Sequence, residues 1–273
     1  MKVFHVVTVG TAILLNFART FKDEAEELKI SSWGRLPPDH DDQKKAEASA
    51  HRGSKVFDRL LEYVNSDPYS ASAELNAFYR FTDLYGPSRI EDIEIGLYTT
   101  DTGTGYLCGR IVYEHLKSRG YYVNEPVRVR GFGLGASLFD EALSNLIDKI
   151  AGVVKSKKNA GYRVYVNATA GFKPETSFAT IISMVMGADK VYYIHESFRE
   201  VVALPLLPIT VKEEFLSLID RIFPHISLAD LKDIIGYERI KELEERGVII
   251  IREGRVEPRP WIRKLYTMIK GIG

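Results

Sequence analysis

The sequence lacks what several classes of protein require. Cys108 is the only cysteine among 273 residues, which excludes an internal disulfide and a cysteine-based zinc site. No apolar run approaches the roughly 18 residues of a membrane span, and Met1 leads straight into a strand pattern without a secretory signal. The formal net charge is zero, so an anionic ligand needs a local site. These absences predict a soluble, cytoplasmic protein that does not bind a membrane.

Familiar nucleotide and metal motifs are missing too. No G-x-G-x-x-G follows the first strand and no G-x-x-x-x-G-K-[ST] occurs anywhere, so NAD and ATP chemistry lose their main support. His51, Glu114 and His115 have no further ligands at a metal-binding spacing. The sequence therefore predicts neither a metal nor a cofactor.

Strand and helix patterns alternate through the first 207 residues. The mostly β-branched run from Val3 to Val9 is typical of a strand buried on both faces. The patterns predict further strands at 93–99, 127–129, 162–166, 190–195 and 200–204, the last two as a terminal hairpin, and helices at 44–65, 71–84, 138–154 and 174–186. This order predicts a Rossmann-like α/β domain with a mainly parallel sheet between helices.

A smaller domain is predicted over residues 208–273, after Pro205 and Pro208. Helices at 211–223, 228–234 and 237–246, a hairpin at 248–257 and a helix at 261–269 follow the order of a winged-helix-like module. The last 26 residues hold six Lys or Arg against two Glu, which suits contact with DNA. The helix at 237–246 carries four glutamates that would repel phosphates, so a dimerisation or lid role is favoured over DNA binding.

Four loops leave the carboxyl ends of predicted strands, where open α/β sheets bind ligands. Glycines let the backbone approach a ligand, and the N-terminus of a following helix offers free N–H groups to phosphate. The candidate ligand-binding residues in these loops are Gly10, Thr11, Asp101, Thr102, Gly103, Thr104, Gly105, Gly131, Phe132, Gly133, Asn167, Ala168, Thr169, Ala170, Gly171 and Phe172. One such loop is weak support, because the topology needs tight turns anyway, but four at one edge predict a site.

Lys173 is the most informative single residue. It lies in a Gly-Phe-Lys-Pro turn at a strand end, where a purely structural lysine has little reason to be. A lysine there can neutralise phosphate oxygens or stabilise the charge that develops as a phosphodiester breaks. The alternative interpretation is a solvated surface lysine.

Two motifs resemble those of the CARF (CRISPR-associated Rossmann fold) proteins. Thr8-Val9-Gly10-Thr11, with Leu14-Leu15-Asn16 behind it, resembles the opening of that family. Residues 167–175 resemble its fourth-strand loop, usually Asn-x-Thr-Gly-Gly-x-Lys-Pro, and the Asp101-Thr102 turn and the closing hairpin match as well. The resemblance spans residues 1 to about 208. With a winged-helix module behind this domain, the chain is similar to the archaeal ring-nuclease branch.

The resemblance implies a homodimer that binds cyclic tetra-adenylate across its two-fold axis. In such proteins a ribose 2′-hydroxyl attacks the neighbouring phosphate without a metal, which leaves a linear product ending in a 2′,3′-cyclic phosphate. Lys173 matches the catalytic lysine, and Ala12 and Asn16 join the ligand-binding residues. The family usually has serine where this chain has Ala12, so the neighbouring hydroxyl of Thr11 is the second catalytic candidate.

Two other functions remain open at this point. One is a non-catalytic sensor of the same ligand that acts through the winged-helix module, for example as a transcription regulator. The other is a structural dimer whose loops bind a different nucleotide. Ala12 favours the sensor over the enzyme, whereas the acidic helix at 237–246 argues against DNA regulation.

Overall fold

A central β-sheet organises the first part of the chain. A computed structural model describes residues 1–132, 138–170, 173–195 and 200–271, except for the side chains of residues 173–175. Within these ranges the sheet has seven strands in the order β3-β2-β1-β5-β6-β7, and β4 also pairs with β2. The strands are Val3–Val9 (β1), Ile93–Thr99 (β2), Tyr122–Val123 (β3), Val127–Arg128 (β4), Arg163–Asn167 (β5), Lys190–His195 (β6) and Glu200–Leu204 (β7).

Strand β1 lies at the centre of this sheet. Val7 is paired with Leu97 of β2 on one side and with Asn167 of β5 on the other, both in parallel. All seven residues of β1 are buried, which explains its run of β-branched residues. Among the described pairings of this sheet only β6 and β7 run antiparallel. The predicted mainly parallel sheet with a terminal hairpin is confirmed, and the carboxyl ends of β1, β2 and β5 share one edge.

Helices cover both faces of the sheet. They are Ala12–Thr20 (α1), Lys22–Glu27 (α2), Asp42–Ala48 (α3), Lys55–Ser66 (α4), Pro68–Ala71 (α5), Ala73–Tyr85 (α6), Gly103–Ser118 (α7), Phe139–Leu146 (α8), Gly152–Asn159 (α9) and Lys173–Val185 (α10). Val7 and Val9 enter the core beneath α1, α4 and α7, whereas Phe4 and Val6 enter the core beneath α8 and α9. Because alternate side chains of a strand point to opposite faces, one strand supplies both cores.

Two predicted helices are wrong in detail. The helix predicted at 44–65 is two helices, α3 and α4, because the chain turns at Gly53 with a φ of +90°. The oxygens of Asp58 then accept the Gly53 N–H, at 3.1 Å for Oδ2, near the start of α4. The helix predicted at 138–154 contains a π-helical turn at Ile147–Ala151 and extends to Asn159.

The C-terminal part has a sheet and a core of its own. Its elements are Glu213–Ile222 (α11), Ile226–Ser227 (β8), Leu228–Ile235 (α12), Tyr237–Glu245 (α13), Ile249–Arg252 (β9), Arg255–Pro258 (β10) and Pro260–Lys270 (α14). The three strands form an antiparallel sheet in the order β8-β10-β9 over a core that includes Ile219, Leu231 and Ile249. The predicted hairpin and helices are present, and β8 was not predicted. The winged-helix assignment and the boundary at residue 207 stay predictions.

Helix α14 connects this small sheet to α10. Trp261 packs edge-on against Phe178 of α10, with 5.6 Å between ring centroids. Ion pairs join Arg259 to Asp140 at 2.6 Å and Lys264 to Asp148 at 3.2 Å. The C-terminal part therefore contacts the helix that begins at Lys173. None of the helices in the described ranges has both the length and the apolar character needed to cross a bilayer.

Candidate functional site

The turn between β1 and α1 presents a helix N-terminus. Leu15 makes the first backbone hydrogen bond of the helix, to the Thr11 carbonyl at 3.2 Å. Of the preceding amides, those of Ala12 and Ile13 have no acceptor within the described part of the chain, whereas the Leu14 N–H donates to the sulfur of buried Cys108. Such amides carry the positive end of the helix dipole and bind anions.

The predicted residues of this turn are already engaged within the protein. The Gly10 N–H donates to Glu74 Oε1 at 2.8 Å. The Thr11 hydroxyl donates to the Gly34 carbonyl at 2.9 Å, so its proton is not directed at a ligand. The side chain of Asn16 is fixed by the Ala71 carbonyl, which accepts from Nδ2 at 3.1 Å.

A cavity of about 790 Å³ lies beside this helix N-terminus. Ala12 borders it from the first turn of α1, and Ile194 borders it from the end of β6. The polar side chains that line it are Asn16, Arg19, Thr20, Ser66, Asp67, Tyr69, Ser70 and Asn76. Apart from the Asp67 carboxylate, these side chains can donate hydrogen bonds, and such donors around a concave surface at the carboxyl edge of a parallel sheet suit a polar, anionic ligand.

The loop after β5 reaches the same place. Asn167 is fully buried, and its side chain accepts the Thr169 N–H at 3.2 Å and donates to the Glu74 carbonyl at 2.9 Å. The Thr169 hydroxyl oxygen accepts the N–H of Ile194, the residue that borders the cavity, at 3.3 Å. Ala168 is buried and Ala170 is half-buried. The loop is therefore tied to both β6 and α6.

Several predicted residues cannot be placed in this way. Gly133, Gly171 and Phe172 lie outside the described residues. Lys173 is the first residue of α10, and its side chain also lies outside them. The roles predicted for these four residues stay predictions.

The turn between β2 and α7 is packed against α3. A Cβ atom at Gly103 would overlap the carbonyl oxygen of Gln43, and one at Gly105 would overlap the hydroxyl of Thr100. The Thr104 N–H donates to Gln43 Oε1 at 2.9 Å, and the Gly105 N–H donates to Thr102 Oγ1 at 3.1 Å. Packing and capping within the chain account for these glycines and threonines, and their role in ligand binding stays a prediction.

Asp101 connects this turn to the third predicted loop. Its carboxylate lies 3.3 Å from Nε of Arg128 and accepts the Gly131 N–H at 3.4 Å. Gly131 has a φ of +81°, and Phe132 is fully buried in the core. The loops after β2 and β4 are therefore bonded to each other through Asp101. The loops after β1 and β5 come together at Glu74, and Ile194 contacts the β5 loop and borders the same cavity as Ala12.

Glu74 is the residue of this edge that the sequence does not reveal. It lies in the first turn of α6, its side chain is buried, and it contacts both the first and the fourth loop. In the sequence it is one glutamate in a predicted helix, and no local pattern marks it as buried.

Two buried histidines, one in β1 and one in α7, carry no charge. Burial lowers the pKa of His5 to about 3 and that of His115 to about 4. His5 Nδ1 lies 2.9 Å from the Tyr192 hydroxyl, while His115 lies between Asn65 Oδ1 at 2.7 Å and the Tyr79 hydroxyl at 2.8 Å. Neither imidazole is a cation at pH 7. In the described ranges, no three His, Cys, Asp or Glu side chains are grouped so that they could hold a metal.

This architecture defines a Rossmann-like α/β protein with a candidate ligand site at the carboxyl ends of parallel strands. A family model described as CRISPR-associated protein (Cas_APE2256) matches residues 69–207, which are 139 of the 273 residues. The chain belongs to this CRISPR-associated family, and at that level the resemblance to the CARF-type proteins is confirmed. The match takes in three of the four predicted loops and begins after residues 10–16.

Proposed function

We propose that this protein is a ring nuclease that binds cyclic tetra-adenylate and cleaves it, which ends the signal of a CRISPR response. The observation that carries the proposal is the open N-terminus of α1, which borders a cavity beside the loop after β5. Membership of a CRISPR-associated family supports a nucleotide signal as the ligand.

The donors around the cavity match the chemistry of a nucleotide. The amides of Ala12 and Ile13 supply partial positive charge for a phosphate without a full cation. Asn16, Arg19 and Tyr69 offer polar and aromatic groups for ribose and base. We propose that Gly10 and Asn167 shape this site by holding its loops in place, since their polar groups are bonded within the protein.

We propose that two protomers share one ligand. A ring of four identical nucleotides has two-fold symmetry, so two copies of one site match it better than a single site. Sedimentation at micromolar concentration should show a dimer that binds one ring per two chains. A monomer that binds one ring per chain would contradict this arrangement.

The proposed reaction is an internal transesterification. The 2′-oxygen of one ribose forms a bond to the adjacent phosphorus, the bond from phosphorus to the 5′-oxygen breaks, and the 2′-hydroxyl proton ends on that 5′-oxygen. The protein aligns the attack and stabilises the extra negative charge of the phosphorane. Lys173, which opens α10 beside this loop, is the residue proposed for the second task. The hydrogen bond from Thr11 to Gly34 leaves Thr11 the weaker catalytic candidate.

The test is cleavage of radiolabelled cyclic tetra-adenylate by excess protein in EDTA. The wild type should give a linear product that ends in a 2′,3′-cyclic phosphate. Lys173→Ala should slow this step at least tenfold, because losing one group that stabilises a transition-state charge typically costs about 2.7–4 kcal/mol. Lys232→Ala, in α12, is the matched control and should cleave like the wild type. Absence of cleavage, or cleavage only with added manganese, would contradict the proposal.

The second candidate is a sensor that passes ligand binding to the C-terminal part. Two observations favour it: the contact of α14 with α10, and the exposed Arg252 and Arg255 of the β9–β10 hairpin, which have no ion-pair partner among the described residues. Against DNA binding, the basic residues of and next to α13 pair with glutamates of the same helix: Arg239 and Arg246 with Glu242, and Lys241 with Glu245. Tight binding of cyclic tetra-adenylate without cleavage would favour this candidate.

A further inference from the structure

We propose that Glu74 is a positioning residue that holds the β1–α1 turn in its ligand-binding shape through the length of its side chain. The identity of the ligand rests on the proposed function. The positioning role of Glu74 rests on the hydrogen bonds that it makes in this turn. It assigns a role to a buried carboxylate that neither the sequence motifs nor the family match single out.

Glu74 contacts both loops of the site with different groups. Its side chain is 1% exposed, and Oε1 accepts the Gly10 N–H at 2.8 Å. Oε2 accepts the Ser72 hydroxyl at 2.7 Å, and the backbone carbonyl accepts Asn167 Nδ2 at 2.9 Å. One residue of α6 therefore sets the position of the β1–α1 turn and of the β5 loop relative to each other.

Within the described residues the partners of the carboxylate are the Gly10 N–H and the Ser72 hydroxyl, neither of which is a cation. A buried charge of this kind needs donors, and both of its oxygens have one. The carboxylate also lies near two helix N-termini. Glu74 is in the first turn of α6, and its partner Gly10 directly precedes Thr11, the N-cap of α1. The positive ends of both helices favour a negative charge there.

The bond to Gly10 fixes where the ligand donors begin. The Gly10 N–H is held by Glu74 and the Leu14 N–H by Cys108, so the amides of Ala12 and Ile13 stay free between them, and Ala12 borders the cavity. If the carboxylate withdrew, the Gly10 peptide would lose its anchor and the first turn of α1 would loosen.

Two substitutions separate the reach of Glu74 from its charge. Glu74→Gln keeps the length, and its amide oxygen can still accept the Gly10 N–H, but it removes the charge. Glu74→Asp keeps the charge but withdraws the carboxylate by one methylene. Glu91→Asp is the control, at an exposed glutamate outside the site. All variants are compared at a temperature at which circular dichroism shows each of them folded.

The first readout is hydrogen–deuterium exchange of residues 10–14 in the ligand-free protein. Glu74→Asp should speed this exchange by about tenfold, the effect of leaving one buried N–H without its acceptor. Glu74→Gln and Glu91→Asp should exchange like the wild type. Wild-type exchange in Glu74→Asp would overturn the proposal, and so would equally fast exchange in Glu74→Gln, since charge rather than length would then matter. Should Glu74→Asp fail to fold, fast exchange in Glu74→Gln would still overturn the proposal.

The second readout is the dissociation constant for cyclic tetra-adenylate. Glu74→Asp should weaken binding by about tenfold, whereas Glu74→Gln should bind as tightly as the wild type or more tightly, because a negative charge near the phosphates is gone. Weaker binding by both variants would overturn the proposal. If the wild type does not bind this ligand, the proposed function fails, while hydrogen exchange still decides the role of Glu74.

Discussion

The turns after β1 and β2 are neighbours that look alike in sequence and differ in structure. Each follows a buried strand, contains a glycine next to a threonine, and leads into a helix. At the start of α1 the amides of Ala12 and Ile13 lack acceptors in the described chain, and Ala12 borders a cavity of about 790 Å³. Two of the amides at the start of α7, those of Thr104 and Gly105, are bonded to Gln43 and Thr102.

The difference lies in what covers each helix. Helix α3 packs on the N-terminus of α7 so closely that Gly103 has no space for a Cβ atom, and Gly105 has none because Thr100 and Thr102 of the same turn fill it. A glycine at the end of a parallel strand can therefore serve two purposes: Gly103 admits a neighbouring helix, and we propose that the glycine of the first turn serves a ligand site. The residue types alone do not distinguish the two.

The largest effect expected from this comparison is that of Gly103→Ala on stability. Its Cβ atom would overlap the Gln43 carbonyl oxygen and lie 2.7 Å from the carbonyl carbon, so α3 must move. We expect the free energy of unfolding in urea to fall by about 3 kcal/mol or more, at the upper end for overpacking.

The matched control for that substitution is Gly152→Ala. Gly152 opens α9, and a Cβ atom there would meet only the end of the Met268 side chain, at 3.8 Å. Alanine is the better helix former, so we expect a neutral result or a gain of up to about 1 kcal/mol. Equal losses in the two variants would mean that the close contact between Gly103 and α3 is not formed in solution.

Acid should lower the stability of the protein, because β1 contains the buried neutral His5 and α7 contains the buried neutral His115. Burial lowers their native pKa values to about 3 and about 4 from 6.5, so the unfolded chain takes up protons first. Their contribution to stability is complete above about pH 6.5 and falls as the pH drops towards the native pKa values. Between pH 7 and pH 5 we expect a loss of up to about 2 kcal/mol per histidine.

Urea unfolding at pH 7 and pH 5 measures this loss. His115→Gln should remove about half of the pH dependence, because one of the two groups is gone. His51→Gln, at an exposed position, should retain all of it. A wild-type protein that is equally stable at the two pH values would contradict the burial of neutral imidazoles.

The smallest effects concern the two threonines. Thr102 caps α7 through the Gly105 N–H, so Thr102→Ala should lower stability by about 1 kcal/mol. Thr11 makes no such cap and donates only to the Gly34 carbonyl, so Thr11→Ala should lower it by about 0.5 kcal/mol. On affinity for cyclic tetra-adenylate the order should reverse, with Thr11→Ala weakening binding and Thr102→Ala leaving it unchanged. Calorimetric unfolding of both variants checks the order of their stabilities, and calorimetric titration with cyclic tetra-adenylate checks the order of their affinities.

The sequence was sufficient to predict the fold class because burial leaves a clear pattern in long elements. Strands β1, β2, β6 and β7 have the predicted bounds, since runs of β-branched and aromatic residues are interrupted at once by turn residues. The π-helical turn at Ile147–Ala151 and the two-residue strand β8 were not predicted. Both depend on contacts with distant elements, the first with α14 and the second with β10.

The candidate site could be predicted only in part, and for a similar reason. The loops at the edge follow from the order of strands and helices, so Gly10 and Asn167 could be named from the sequence. The contact of Gln43 with Gly103 joins residues 60 positions apart, and that of Glu74 with Gly10 joins residues 64 positions apart. No local pattern contains such pairs, which decide which turn is open and which is closed.

Hydrogen–deuterium exchange of the wild-type protein with and without cyclic tetra-adenylate tests the central claim most directly. Saturating ligand should slow exchange in residues 10–16 and 167–170 and leave residues 101–105 unchanged, because only the first turn borders the cavity. The same residues should be protected when the protein is held in EDTA. Protection confined to residues 101–105, or no protection anywhere in the chain, would contradict the account.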